Sequence, residues 1–237
     1  MAYDWQNRAA ARPATWADVD TGLRQYMLRV YNYMGAGLAL TGLVAYFAAA
    51  SGLYASIAHT ALIYVVIFAP LAVVFLLAWR IQSMSLGAAQ MTFWGYAALV
   101  GLSLAYIFLV YTGVSITSTF FITAAMFLGT SLYGYTTGRD LAGFGSFLIM
   151  GVIGLAVAML VNMFLASPAL QFAISVIGVL VFTGLTAYDT QRIKEMYSAN
   201  DDGTIAGKKA IMGALALYLD FLNLFLFMLQ FMGQRRD

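Results

Sequence analysis

Between Val30 and Trp79 the chain carries no Asp, Glu, Lys or Arg, and between Asp140 and Asp189 it carries none again. A soluble domain usually has about 25% charged residues, enough to cover a water-facing surface. Here the charged fraction is 9% and the hydrophobic fraction 62%. The reading that follows is an all-α integral membrane protein whose environment is the lipid bilayer. With no cysteine there is no disulfide framework and no thiolate metal site, and a single His59 excludes a multi-histidine centre. No Ser–His or Asp–Asp protease motif occurs, so no enzyme is expected, and nothing suggests nucleic acid or a cofactor.

Apolar runs of about 20 residues mark membrane helices. The breaks "ASGLYASIAHT", Arg80 with "QSMSLGAAQ", "YTGVS", "TTGRDLAGFG", "ASPAL" and "RIKEMYSANDDGTIAGKK" divide the chain into seven runs. They fall near 30–50 and 60–81, then two from Met91 to Tyr135 split near "YTGVS", then 145–166, 170–193 and 210–232. The expected organisation is a cytoplasmic tail with an interfacial helix over residues 1–27, then one seven-helix domain over 28–237. The acids and arginines of that tail are unlike a cleaved signal peptide. The short likeness of "TGLVAY" at 41–46 to "TGLTAY" at 183–188 does not define a repeat.

Arg8, Arg12, Arg24, Arg29, Arg80, Arg139, Arg192, Lys194, Lys208 and Lys209 fall on the N-terminal side of the runs. Only Arg235 and Arg236 lie beyond the seventh. By the positive-inside rule the N-terminus is cytoplasmic. A full seventh span puts the C-terminus outside; a re-entrant one keeps it inside.

Three ionisable groups lie within or at the edge of the runs. An acid at mid-membrane costs about 2.5–3.5 kcal/mol on insertion scales, so each needs a reason. Asp220 sits about ten residues into the last run, on a stripe with Gly213, Ala216, Asn223, Phe227 and Gln230. That stripe should face protein or water, either as a site or as helix-to-helix glue. Asp189 lies near the end of the sixth run, with Thr186 at i−3 and Arg192 at i+3. It is either a local helix-end ion pair or the partner of Asp220 across helices. Two carboxylates in a low-dielectric site cannot both ionise cheaply and would share a proton. Once deprotonated they offer hard oxygens to a divalent cation such as calcium. Arg80 is either their counter-charge or an interfacial anchor beside Trp79. "NDDG" at 200–203 reads as a turn, since it lacks the distal Glu of a calcium loop. His59 reads as a solvated loop residue and Asn162 as an interhelical hydrogen-bonding group. A retinal protein needs a lysine in its last span, and Lys194, Lys208 and Lys209 all lie in the break before it.

"FTGLTAYDTQRIKEMY" at 182–197 resembles the signature of the Bax inhibitor-1 family, the transmembrane Bax-inhibitor-motif proteins. "LRVYNYMGAGLALTG", "GRDLAGFGSFLIMGVIGL" and "ALALYLDFLNLFLFMLQFMG" are similar to its bacterial branch, so the resemblance covers nearly the whole chain. It implies a seven-transmembrane-helix bundle with the last helix central, in a bacterial inner membrane. It also implies a pH-sensitive calcium leak channel: Asp189 and Asp220 as proton sensor and cation ligands, Thr186 and Asn223 in support, and Arg80 as a latch on the closed form. The alternatives are a membrane-embedded regulator of a quality-control protease and a proton-coupled transporter.

Overall fold

The computed structural model describes residues 16–236, with side chains from residue 21 onward. The tail expected over residues 1–27 therefore lies largely outside the described residues. The described chain is helical almost throughout: α1 (Trp16–Ala50), α2 (Leu53–Ala58), α3 (Leu62–Arg80), α4 (Leu86–Ser103), α5 (Tyr106–Val110), α6 (Gly113–Thr136), α7 (Ala142–Leu165), α8 (Pro168–Glu195) and α9 (Gly203–Met232). Beyond their first turn, helices satisfy their backbone donors within the segment, which is what lipid requires. Seven spans are long and apolar enough to cross a membrane, the third made of α4 and α5 together. The protein is an all-α membrane protein with its last helix buried at the centre.

Short polar residues start the helices where the sequence breaks predict. Ser85 accepts a hydrogen bond from the Ala88 N–H, Thr112 from Ser115, Ser167 from Leu170 and Asp202 from Ile205. Each satisfies one of the donors that a helix N-terminus leaves unpaired. Pro168 follows its cap at the first helical position, where a missing N–H costs nothing. The first span departs from expectation. The segment read as a separate interfacial helix is the opening of α1, which runs unbroken to Ala50. It holds no proline, and nothing else in its backbone ends the hydrogen-bond ladder at the membrane surface.

α9 packs against α1, α4, α6 and α8, while α3 packs on α4 and α7 on α8. Four helices thus surround the last one, and two stand outside that ring. α9 crosses the full height of the bundle. At its start the Lys208 ammonium donates to the Gln82 carbonyl at 2.9 Å, beside the α3–α4 turn. At its end the Thr112 N–H donates to the Gln234 carbonyl at 3.1 Å and the Arg236 N–H to the Val110 carbonyl at 2.8 Å. Those partners flank the α5–α6 turn at the opposite end of the third span. The seventh segment therefore runs the bundle from end to end, and it is long and apolar enough to cross a membrane in full. The end holding Arg80, Arg139, Lys194 and Lys208 is called the basic end below.

Buried hydroxyl chains join the helices, and their directions follow from donor arithmetic. Thr41 donates its only hydroxyl proton to the Ala97 carbonyl at 2.8 Å, so Tyr218 donates to Thr41 at 2.7 Å. This ties α9 to α1 and α4. Thr190 donates to the Thr186 carbonyl at 2.7 Å. Ser131 therefore donates to Thr190 at 2.9 Å, and Tyr31 to Ser131 at 2.7 Å, linking α1, α6 and α8. Replacing Tyr218 with Phe should cost about 1 kcal/mol, one buried hydrogen bond, with little change in packing. Chemical denaturation in detergent, with Tyr46→Phe at an exposed ring as the control, measures it.

Candidate functional site

α8 and α9 run antiparallel and approach closely because small residues face large ones. A Cβ added at Gly213 would stand 2.9 Å from Ile193, and one at Gly178 would stand 2.5 Å from the Phe227 ring. This register sets Asp189 opposite Asp220, close enough for their carboxyl groups to act on one another. The structure thus joins the two acids across helices. Arg192 is also within electrostatic reach of Asp189, although its own side chain is exposed. Asp189 forms no ion pair with Arg192 among the described residues, so the helix-end ion pair read as one alternative is absent here.

Asp220 is 4% exposed, and its Oδ2 is buried without a hydrogen-bond partner. Two ionised carboxylates are acceptors only and repel at contact; one proton between them turns the contact into a hydrogen bond. An unpartnered buried carboxylate oxygen is costly unless a proton, a cation or water reaches it. The pair alone offers at most four oxygens, short of the six to eight that calcium takes. Among the described residues no group of three or more His, Cys, Asp or Glu gathers anywhere. Alone, the pair is too small a donor set to hold calcium.

The other predicted residues take different places. Thr186 is fully buried, and its hydroxyl donates to the Phe182 carbonyl at 2.8 Å. Asn223 donates to the Leu219 carbonyl within its own helix. Neither hydrogen-bonds a carboxylate. Arg80 is exposed at the end of α3 and forms no ion pair with either aspartate. This conformation does not bring the expected latch to the pair. His59 is exposed. Asn162 on α7 donates to the Gln171 Oε1 on α8 at 3.0 Å, the interhelical bond expected of it.

Apolar side chains flank the pair along the bundle. About two turns toward the far end, Phe182 and Phe227 stack with centroids 5.7 Å apart. Toward the basic end Ile193 and Ile211 are buried, as are Met27 and Val30 of α1. The α8–α9 loop closes over this end. Tyr197 packs its ring on Tyr26 at 5.7 Å, and Lys209 bridges to Asp201 at 2.6 Å while also donating to the Met196 carbonyl. Sequence reasoning took "NDDG" for a turn and missed both of its acids' roles. Asp201 pins the loop to α9, and Asp202 caps that helix. The second role had a signal, an Asp just before a long apolar run.

A family model described as "Inhibitor of apoptosis-promoting Bax1" matches residues 23–237. The chain belongs to the Bax inhibitor-1 family. One relative is the inner membrane protein YbhL of Escherichia coli (strain K12), 50% identical over 219 residues, covering 91% of this chain and 94% of the relative. A protein of Rickettsia prowazekii (strain Madrid E) is 49% identical over 92% of this chain and 93% of its own. One from Caulobacter vibrioides is 46% identical over 98% of both. Within this Bax inhibitor-1 chain, the segment that carries the family signature, 182–197, supplies Asp189, the stacked Phe182 and the loop residue Tyr197. The resemblance and the geometry therefore meet on the same stretch of α8.

Proposed function

We propose that this protein is a pH-sensitive cation leak channel, permeable to calcium, in a bacterial inner membrane. Its switch is one proton shared by Asp189 and Asp220. The observation that carries the reading is the approach of two carboxyl groups between α8 and α9, Asp220 buried and Asp189 half-buried, with Asp220 Oδ2 left unpartnered. A purely structural acid would spend its oxygens on helix caps or on a cation, and Asp220 does neither. Protonated, the pair is a hydrogen-bonded clasp between α8 and α9. Deprotonated, it repels across the helices and attracts a divalent cation at the same point. The Phe182–Phe227 stack and the capped basic end describe the closed form.

Purified protein in calcium-dye-loaded liposomes tests this. Calcium entry should exceed that of protein-free liposomes and vary with pH. The pH dependence should be lost in Asp189→Asn and Asp220→Asn. A folded protein that passes no calcium at any pH contradicts the reading. Arg80→Ala should leave the flux close to wild type, because Arg80 stands apart from the pair; a raised basal leak would restore it as a latch.

The inner membrane location rests on the relative YbhL, and orientation on the basic end, which by the positive-inside rule is cytoplasmic. A full seventh crossing then puts the C-terminus outside. Reporter fusions should find the N-terminus cytoplasmic and the C-terminus periplasmic. Two cytoplasmic ends would contradict the full crossing.

A further inference from the structure

The aspartate pair does not use the cleft between α1 and α6. These two helices each pack on α9, but they are not a packed pair with one another. Between them, at the basic end, lies a groove of about 630 Å³. α1 enters it with Arg24, Leu28 and Tyr31, and α6 with Leu128, Leu132 and Tyr135.

The groove changes character along its length. α1 runs inward from the basic end and α6 runs outward to it, so Arg24 and Tyr135 share the mouth. Lys194 joins them there: its ammonium donates to the Tyr135 carbonyl at 2.9 Å and lies 5.3 Å from the Tyr135 ring centre. Arg24 is exposed and has no carboxylate partner among the described residues. Leu28, Leu128 and Leu132 stand exposed along the walls, facing the bilayer. The floor carries Tyr31 and Ser131, whose hydroxyl protons are both spent within the chain that ends on the Thr186 carbonyl. The floor therefore makes no demand for water. A cationic mouth at the headgroup level with a dry apolar trough beneath it matches one amphiphile, oriented as lipids of that leaflet already are.

The geometry points to a site for a single anionic phospholipid, its phosphate at Arg24 with Lys194 beside it and an acyl chain lying between Leu28, Leu128 and Leu132. Charge complementarity selects an anionic headgroup over a zwitterionic one. The bound chain would cover the α1–α6 side of the bundle next to the helix that carries Asp189.

Native mass spectrometry of the full chain in detergent, titrated with phosphatidylglycerol and with phosphatidylethanolamine of matched acyl chains, tests the assignment. One phosphatidylglycerol should be retained in preference to phosphatidylethanolamine. Arg24→Gln should cut that preference about fivefold, the effect of one interfacial cation. Leu132→Trp fills the trough from an exposed position and should reduce retention of both lipids to background, with the melting temperature in detergent unchanged. Equal retention of the two lipids by wild type overturns the site, as does undiminished retention in a folded Leu132→Trp protein. Two other occupants would also overturn it: residues 1–15, if lipid binds only once they are removed, or a second copy, if Leu132→Trp dissolves a dimer and leaves lipid retention unchanged.

Discussion

Gly134→Ala is expected to be among the most damaging single-methyl additions to this protein, removing several kcal/mol of stability. A Cβ at Gly134 would stand 2.1 Å from the carbonyl oxygen of Ala187 and 2.8 Å from its carbon. Both are backbone atoms of long helices, so neither can swing aside. α6 and α8 would have to separate by about 1 Å along their whole contact. Overpacking a core costs about 1–3 kcal/mol even where side chains can adjust, and more where they cannot. Between membrane helices close approach through small residues is itself a main source of attraction, so the separation also loses contact energy along both helices. Gly145 offers a contrast: its Cβ would meet the Tyr188 ring at 2.3 Å, but a ring can rotate. Gly42 has nothing within 4 Å, and alanine there should be neutral or stabilise α1 by up to about 1 kcal/mol. Thermal unfolding of the three variants in one detergent compares them. A Gly134→Ala protein that melts with wild type would contradict the packing of α6 on α8. The position bears on the site as well, because Ala187 lies two residues from Asp189.

Much of the architecture was legible because lipid writes plainly in sequence. The charge-free runs gave the spans, and the rarity of membrane acids isolated Asp189 and Asp220 before any geometry was known. Their pairing across helices was an expectation of the same kind, since an isolated carboxylate at that depth needs a partner. What was not legible falls into two kinds. Helix ends were misplaced where hydropathy and the backbone disagree. α1 begins at Trp16 and α9 at Gly203 because a helix continues until it meets a cap or a breaker, whereas an apolar run stops at the first charge. The second kind is distance between helices. Nothing in the spacing of the chain's 22 glycines singles out Gly134 as the one against Ala187. Nor does spacing say that Thr41 would accept from Tyr218, or that Arg80 would end on the outer surface of α3, a helix that packs mainly on α4. The choice of the four helices that ring α9 has the same origin. Every span is greasy enough to be peripheral, and only packing decides which are.

The sharpest consequence of a shared proton is a linkage between calcium and pH, and its sign is fixed by competition. A cation and the proton seek the same carboxylate oxygens, so calcium binding displaces the proton. Affinity must then fall as pH falls, by up to about tenfold per pH unit while one proton is exchanged. In flux this trend is convoluted with opening of the apolar flanks; equilibrium binding isolates it. Asn keeps the size of Asp and cannot hold the shared proton, so either substitution should remove most of the dependence. Calcium titration of the purified protein at about pH 8 and about pH 6, for wild type, Asp189→Asn and Asp220→Asn, is the direct measurement. The account predicts weaker binding by wild type in acid, and weak, nearly pH-independent binding by both variants. Equal wild-type affinity at the two pH values, or a pH dependence that survives in both variants, would contradict it.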